Sequence, residues 1–394
     1  MSLLDHALWW QVYPLGALGA PVRDRVGDDA AHRLPRLESW LDYAVELGCS
    51  GLLLGPIFES VSHGYDTVDH LRIDRRLGDD SDFDHLIEAC RARGLSVMLD
   101  GVFNHVAAEH WAVRAGLAGP DCWEGHQSLL ALHHDDPRVA DLVVDVMLHW
   151  LRRGIAGWRL DVAYAVPSSF WATVLPRVRA EFPDAVFLGE VIHGDYAAIA
   201  AAGTLDSVTQ YELWKGIWSS IKDRNFWELA HALERHDTFC RTFVPQTFVG
   251  NHDVDRIASV VGETGAVLAL AVIMTVPGMP SIYYGDEQGF TGLRGEGFAA
   301  DDSVRPPLPD TPGALFGSGW WLYRVHQELI GLRRRHPWLT RGAVEIVAKQ
   351  NTRITYRTTG QGHVLQVELA LEPAPAVRVY ADGVQVYGWT APEA

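Results

Sequence analysis

Short apolar runs alternate with longer stretches of helical periodicity from the first residues onward. Runs rich in β-branched and aromatic side chains occupy positions 9–14, 50–56, 96–104, 155–162, 185–191, 206–212, 248–253 and 281–287, and each reads as a strand. Between them lie helical segments such as 34–48, 82–94 and 138–154. In the last, Val139, Leu142, Val143, Val146, Met147, Trp150 and Leu151 recur at helical spacing and form one apolar stripe. The punctuation agrees: Pro137 and Pro167 stand where a first helical turn tolerates proline, and Gly48, Gly94 and Gly154 fall just past helix ends. Repeated strand–helix units predict a parallel sheet. No glycine-rich phosphate turn follows the first strand, so the pattern favours an α/β fold of the (β/α)8 TIM-barrel type over an open doubly wound sheet.

The barrel is expected over residues 1–337. Within it, the stretch 106–136 after the third strand is long for a barrel loop and rich in His, Trp and Gly, which predicts a short lid. After a final helix at 320–336, the segment 342–387 turns to Val, Thr and Tyr, with period-two patches at 364–369 and 377–380. A small all-β C-terminal appendage is therefore expected over 338–394.

Composition narrows what such a fold can do. The net charge of −17 over 394 residues argues against nucleic acid or an anionic membrane as a partner, because phosphate binding needs a basic face. An uncharged or cationic substrate is expected. Fifteen tryptophans are unusual for this length; many must be core, but flat aromatic faces also suit the apolar faces of sugar rings. No stretch reaches about 18 consecutive apolar residues, the length of a membrane span. The first ten residues lack a basic and then uninterrupted apolar signal, so a cytoplasmic location is expected. Cys49, Cys90, Cys122 and Cys240 lie far apart with no C-x-x-C pair, which predicts free thiols rather than a disulfide framework or zinc site.

In a barrel, chemistry gathers at the C-terminal ends of the strands. Four apolar runs end in polar residues there: Asp100-Gly101-Val102-Phe103-Asn104-His105, Arg159-Leu160-Asp161, Gly189-Glu190 and Gly250-Asn251-His252-Asp253. Any one of these carboxylates alone would more often cap a helix or pair in a loop; four coincident strand ends point to a site. Alternation puts Arg159 and Asp161 on one face, where the guanidinium is expected to keep Asp161 ionised as a nucleophile while Glu190 holds a proton. Tyr65, in Ser62-His63-Gly64-Tyr65-Asp66, follows the second strand on the same face.

These four motifs, in this order and on these strands, resemble those of the α-amylase family of glycoside hydrolases over roughly residues 8–337. The resemblance implies Asp161 as nucleophile, Glu190 as general acid/base and Asp253 as the carboxylate that holds and distorts the sugar being cleaved. It further implies that Arg159, His105 and His252 hydrogen-bond that sugar, that Tyr65 stacks on it and that Asp66 takes part in binding. The activity implied is retaining cleavage of α-glucosidic bonds, mainly α-1,4, in maltooligosaccharides, cyclodextrins or related α-glucans, with about 5 Å between the two reacting carboxyl groups. No cofactor is required. Asn104 matches a calcium ligand of many α-amylases, although its usual partners come from a fuller lid.

Ser62 to Thr67, Asp74 to Gly78 and Ile282 to Glu287 are most similar to the neopullulanase, cyclodextrinase and maltogenic amylase group. That group carries an N-terminal β-domain, whereas this sequence begins almost on its first strand, so the dimer mediated by that domain is not implied and the oligomeric state is open. The segment Ser128 to Pro137 stands where relatives carry a motif rich in Leu, Asn and Pro, which predicts altered subsite preference. Two other readings share the fold: a transferase or isomerising enzyme that passes the glucosyl unit to a sugar hydroxyl, and a non-catalytic binding barrel. The second is disfavoured because all three carboxylates remain.

Overall fold

The computed structural model describes residues 2–23 and 31–392. Eight short strands, β1 (Trp9–Val12), β2 (Gly51–Leu54), β3 (Ser96–Gly101), β4 (Gly157–Leu160), β5 (Val186–Gly189), β6 (Ser207–Val208), β7 (Gln246–Thr247) and β8 (Met279–Tyr283), form one parallel sheet in sequential order. β1 pairs with both β2 and β8, and a parallel bridge between Thr209 and Gln246 joins the β6 and β7 edges. The sheet thus closes into a (β/α)8 barrel, as the alternation of elements predicts.

Alternation along each strand sorts the side chains into two cores. Trp9, Leu53, Met98, Val186, Leu188, Val244 and Met279 point inward and form their own cluster. Their neighbours Trp10, Leu52, Leu54, Leu99 and Phe187 point outward into the larger cluster shared with the helices. The inner cluster has room for an indole only because β2 starts with glycine: a Cβ on Gly51 would lie 2.5 Å from the Trp9 ring and 2.6 Å from the Ser96 carbonyl oxygen. Leu3 and Leu4 pack against this cluster.

Several expected elements are shorter than the apolar pattern suggests. The run 206–212 is strand only at Ser207–Val208, because a helix begins at Tyr211. The run 248–253 follows β7 rather than forming it, and the Asn251 side chain accepts from the Asp253 N–H at 2.8 Å, which turns the chain. β8 ends at Tyr283 before Gly285, whose φ of +89° takes the chain out of the strand. The segment 34–48 is two helices, Pro35–Glu38 and Leu41–Leu47. Pro137 opens its helix as expected, whereas Pro167 is the N-cap one residue before the helix Ser168–Arg179.

After β3 the chain forms a three-stranded antiparallel sheet from His105–Ala107, Ala118–Cys122 and Leu129–Leu132, with the helix Trp111–Arg114 between. Beyond the helix Trp320–Arg335 comes an antiparallel meander of five strands, Ala343–Gln350, Arg353–Gly360, His363–Ala370, Ala376–Ala381 and Val384–Thr390. Its alternating residues Ile354, Tyr356, Leu365, Val367, Val377 and Val379 are buried. Tyr356 and Thr358 bond Thr275 at 2.6 and 2.7 Å and fix the sheet to the helix Ile257–Thr275. That helix is long and apolar enough to cross a membrane by length and composition, yet 67% of it is buried inside the protein. The four cysteines are free, Cys49 and Cys90 being buried.

His236, on the helix Phe226–Cys240, shows how the outer shell is held. Its Nε2–H donates to the Pro277 carbonyl at 2.9 Å and its Nδ1 accepts from the Gln210 amide at 3.3 Å. Burial pushes its pKa down to about 4 against the carbonyl's opposing pull. The unfolded ring takes its proton near pH 6.5 and the folded ring does not until about 4, so this contribution to stability is present above 6.5 and lost as pH falls towards 4. The stability advantage of wild type over His236→Gln should therefore shrink by about 2 to 3 kcal/mol between pH 7.5 and 4.5, read from urea unfolding at the two pH values. An unchanged difference would mean the ring is not held neutral.

Candidate active site

Two residues further along each strand from the inner apolar cluster, the inward positions turn polar. β1 supplies Gln11, β3 supplies Asp100, β4 supplies Arg159, and the residues just past β4 and β5 are Asp161 and Glu190. Strand register sets Arg159 beside Asp100 on one side and Leu188 on the other, so its guanidinium lies across the barrel mouth. Its Nη1 donates to both oxygens of Asp100 at 2.8 Å and to Oδ1 of Asp161 at 2.8 Å. Its Nη2 meets Oε1 of Glu190 at 2.6 Å. All four side chains are buried.

This arrangement corrects one expectation. Arg159 does not single out Asp161; it binds both Asp161 and Glu190, so the division between an ionised and a protonated carboxyl cannot come from the guanidinium alone. Burial pushes Asp161 well above the ordinary carboxylate range, against the pull of Arg159 and with the help of Glu190's charge. Burial likewise raises Glu190, which Arg159 and the Val162 N–H oppose, and Asp100, which Arg159 opposes. Three buried carboxyls thus share one cation, and burial works to raise all of them.

Glu190 is fixed from three sides. Besides Arg159, the Tyr211 hydroxyl donates to Oε1 at 3.2 Å and the Val162 N–H donates to Oε2 at 3.0 Å. Val162 has a φ of +39°, an outlier for a β-branched residue. That turn, directly after Asp161, aims the N–H across to the next strand. Asn251 in turn donates to the Tyr211 hydroxyl at 2.9 Å, which ties the loop after β7 to the acid.

Asp253 has different company. Its carboxylate meets His252 Nε2 and Arg305 Nη2, each at 3.0 Å, and its side chain keeps 33% of its exposure. Partial burial works to raise it, but His252 and Arg305 outweigh this and hold it below the ordinary carboxylate range. Arg305 also donates to the His252 carbonyl at 2.8 Å. The His252 ring is stacked between Tyr13 and Tyr65, with centroids 5.9 and 5.4 Å away, and contacts Gln11 at 3.3 Å.

Tyr65 and Asp66 lie in the connection between the paired strands Phe58–Ser60 and Thr67–Ile73. The Tyr65 hydroxyl bonds Asp100 at 3.0 Å and also meets His252. Both oxygens of Asp66 are engaged by Ser62, through its N–H at 3.0 Å and its hydroxyl at 2.5 Å, so Asp66 shapes the turn that presents Tyr65. His105 is held neutral, its pKa pushed down by burial to about 4, with Nε2 donating to the Tyr65 carbonyl at 3.0 Å and its ring parallel to Trp123 at 6.1 Å. Asn104 donates its amide to His105 Nδ1 at 3.1 Å. Among the described residues the one close group of three metal-ligating side chains is His32, Asp79 and Asp82, at the cap of another helix.

Asp161, Glu190, Asp253, Tyr65 and His105 line a cleft of about 980 Å³, whose walls also carry Tyr13, Trp123, Tyr164 and Trp214. Arg159 and His252 sit behind that surface and act on its carboxylates. Four polar partners escaped the sequence reading. Asp100 stood inside a quoted motif, but nothing marked it as the partner of Arg159. Tyr211 fell in an expected strand, and Gln11 and Arg305 belong to no motif; Arg305 reaches Asp253 across 52 residues of chain.

The family described as "Alpha amylase, catalytic domain" matches residues 33–120 and 123–307. The chain is 32% identical to neopullulanase 2 of Thermoactinomyces vulgaris over 86% of its own length and 64% of that protein's. It is 30% identical to a cyclomaltodextrinase of Geobacillus thermopakistaniensis over 78% of this chain and 56% of the relative. It therefore spans somewhat over half the length of these curated relatives. A cyclic α-maltosyl-(1→6)-maltose hydrolase from Arthrobacter globiformis, solved in complex with cyclic α-maltosyl-(1→6)-maltose, superposes with a TM-score of 0.83 at 24% identity, covering 95% of this chain and 93% of that one. At that identity it bears on the fold.

Removing the shared cation tests the electrostatic account. Without Arg159 the buried carboxyls rise further above their unfolded values, so the variant keeps its stability below about pH 4 and loses it as pH climbs. Arg159→Met should cost about 3 to 5 kcal/mol at pH 8 and distinctly less at pH 5, measured by denaturant unfolding. A cost independent of pH would show that the guanidinium acts by packing instead.

Proposed function

The chain belongs to the α-amylase catalytic-domain family, and from that premise we propose that it is a retaining glycoside hydrolase cleaving α-glucosidic bonds in α-glucan oligosaccharides. The observation that carries this reading is the seating of Asp161 and Glu190 on the two terminal nitrogens of one guanidinium, at 2.8 and 2.6 Å. Such a pair suits the spacing of about 5 Å used for a covalent intermediate, rather than the roughly 6.5–9.5 Å that leaves room for a water between carboxyls. The cleft suits an uncharged sugar, being lined with aromatic faces as well as charge.

In the first step the Asp161 carboxylate attacks the anomeric carbon. The bond to the glycosidic oxygen breaks, and that oxygen takes the proton held by Glu190. In the second step water attacks the same carbon, gives its proton to the Glu190 carboxylate and releases Asp161, with configuration retained. Asp253, kept ionised by His252 and Arg305, accepts hydrogen bonds from sugar hydroxyls beside the reacting carbon. Tyr65 lines the same subsite, with His105 next to it.

The names of the similar proteins, a neopullulanase and a cyclomaltodextrinase, support cyclodextrins and related α-glucans as the substrate class, and maltooligosaccharides with mainly α-1,4 bonds belong to the same proposal. Four free cysteines suit the reducing cytoplasm. Transfer to a sugar hydroxyl instead of water uses the same intermediate, and product analysis with maltotriose separates the two outcomes.

Asp161→Ala should lose several orders of magnitude in turnover of maltotriose and of α-glucosyl fluoride alike, because it removes the nucleophile. Glu190→Gln should lose about 10²- to 10⁴-fold on maltotriose, yet still release fluoride in a first turnover, since fluoride departs without a proton. Near-native turnover of maltotriose by either variant, or inversion of configuration followed by NMR, would defeat the assignment.

A further inference from the structure

At the end of the barrel opposite the cleft, a hollow of about 290 Å³ lies between the segment leading into β1 and the end of the helix Trp320–Arg335. Ala7, Leu8 and Pro337 give it apolar walls, while Arg333, Arg334 and His336 supply positive charge and N–H donors. None of these residues takes part in the chemistry of the cleft.

Neither guanidinium meets a carboxylate among the described residues. Arg333 is only 6% exposed. Its Nη1 donates to the carbonyls of Met274 at 3.2 Å and Val276 at 2.8 Å, and its Nη2 to that of Gly278. Arg334, at the outer edge, donates from Nε and Nη2 to the Gly48 carbonyl at 3.2 and 2.7 Å, and from Nη1 to that of His6. Val276 and Gly48 directly follow helices, whose ends carry about half a negative charge each. These carbonyls orient the two side chains, but two half charges do not balance two whole ones. They also take three of the five N–H groups that each guanidinium offers. Asp5, the carboxylate in the wall, is already paired, accepting from Arg341 Nε at 2.7 Å.

The uncompensated charge acts on Arg333 itself: burial, reinforced by the charge of Arg334, pushes it down to about 9. It stays ionised at neutral pH, at a cost that an anion in the hollow would offset. We propose that this hollow binds a phosphate group, free or carried on a small phosphomonoester. Two planar guanidinium forks with N–H groups to spare match the several oxygens of a phosphate, with which arginine makes paired, charge-assisted bonds. His336, kept below its ordinary pKa by burial and by Arg335, is uncharged at neutral pH and adds one N–H. The apolar wall of Ala7, Leu8 and Pro337 offers a face for an organic substituent.

Calorimetry on the whole chain tests the site, with inorganic phosphate and glucose 6-phosphate as probes and glucose as the control for heat from the cleft. Both phosphates should bind; tighter binding of glucose 6-phosphate assigns the hollow to a phosphomonoester, and equal binding to free phosphate. Arg334→Gln should weaken both by about tenfold while leaving kcat/KM for maltotriose unchanged. Binding that this substitution leaves unweakened, or no heat from either phosphate at about 10 mM, would overturn the site. If Arg334→Gln fails to fold, His336→Ala takes its place, because that ring makes no hydrogen bond among the described residues. A loss of about threefold in phosphate affinity is then expected from the missing N–H, and an unchanged affinity is the contrary result.

Discussion

The guanidinium of Arg159 is the constraint around which the functional end of this barrel is arranged. Three carboxyl groups from three neighbouring strands converge on it within 2.6 to 2.8 Å, all buried. Gathering like charges out of water is costly unless a cation and hydrogen bonds offset it, and one arginine cannot neutralise three carboxylates. Burial works to raise all three, and a catalyst that must give a proton from one carboxyl and attack with another needs carboxyls disposed to hold one. The electrostatic tension is thus part of the mechanism, and the apolar layer beneath, with Trp9 and Met279 in contact at 3.1 Å, supplies the rigid floor that bears it.

Around that hub the local backbone distinguishes groups that the cation treats alike. Val162 takes up a left-handed conformation at φ +39°, which for a residue with a Cβ costs roughly 1–2 kcal/mol. In return its N–H reaches Glu190 and the side chain of Asp161 is left at the cleft surface. Glu190 also receives the Tyr211 hydroxyl, itself held by Asn251. The acid is therefore braced by the end of β4 and by a helix start that the loop after β7 holds in place, while Asp161 is held through a single arginine bond. Asp253 stands apart, paired with His252 and Arg305 and kept ionised. Two environments for carboxylates within one cleft provide different roles for the same chemical group.

The outer wall of the cleft follows from where the helices begin. Tyr211 opens the helix after β6, so its side chain faces the barrel mouth and the next residues on that face, Trp214 and Trp218, extend the wall outward. The sheet fused through Thr275 and Tyr356 instead covers the long apolar helix Ile257–Thr275 and helps keep it in the protein interior.

Alternating strand and helix periods, with glycines closing the helices, determined the barrel and the strand ends on which Asp161, Glu190 and Arg159 stand, whereas Asp253 lies in the loop after β7. Those features are local: they depend on residues two, three or four apart, and a linear reading captures them. The lengths of β6 and β7 were not legible, because a strand ends where its neighbour's hydrogen bonds end, and that neighbour lies tens of residues away. Nor was the sharing of Arg159, since alternation reveals that Asp161 is on its face but not that Asp100 and Glu190 lie equally close across the sheet. Asp66 and Arg305 make the same point in opposite directions. A motif residue turned out to be held within its turn by Ser62, and a residue without any motif became the partner of Asp253. The sequence by itself determined which side chains arrive at the mouth of the barrel, through the period of each strand. Only the tertiary structure decided which of them touch, because hydrogen bonds and charge act over a few ångströms of space, however many residues of chain separate the partners.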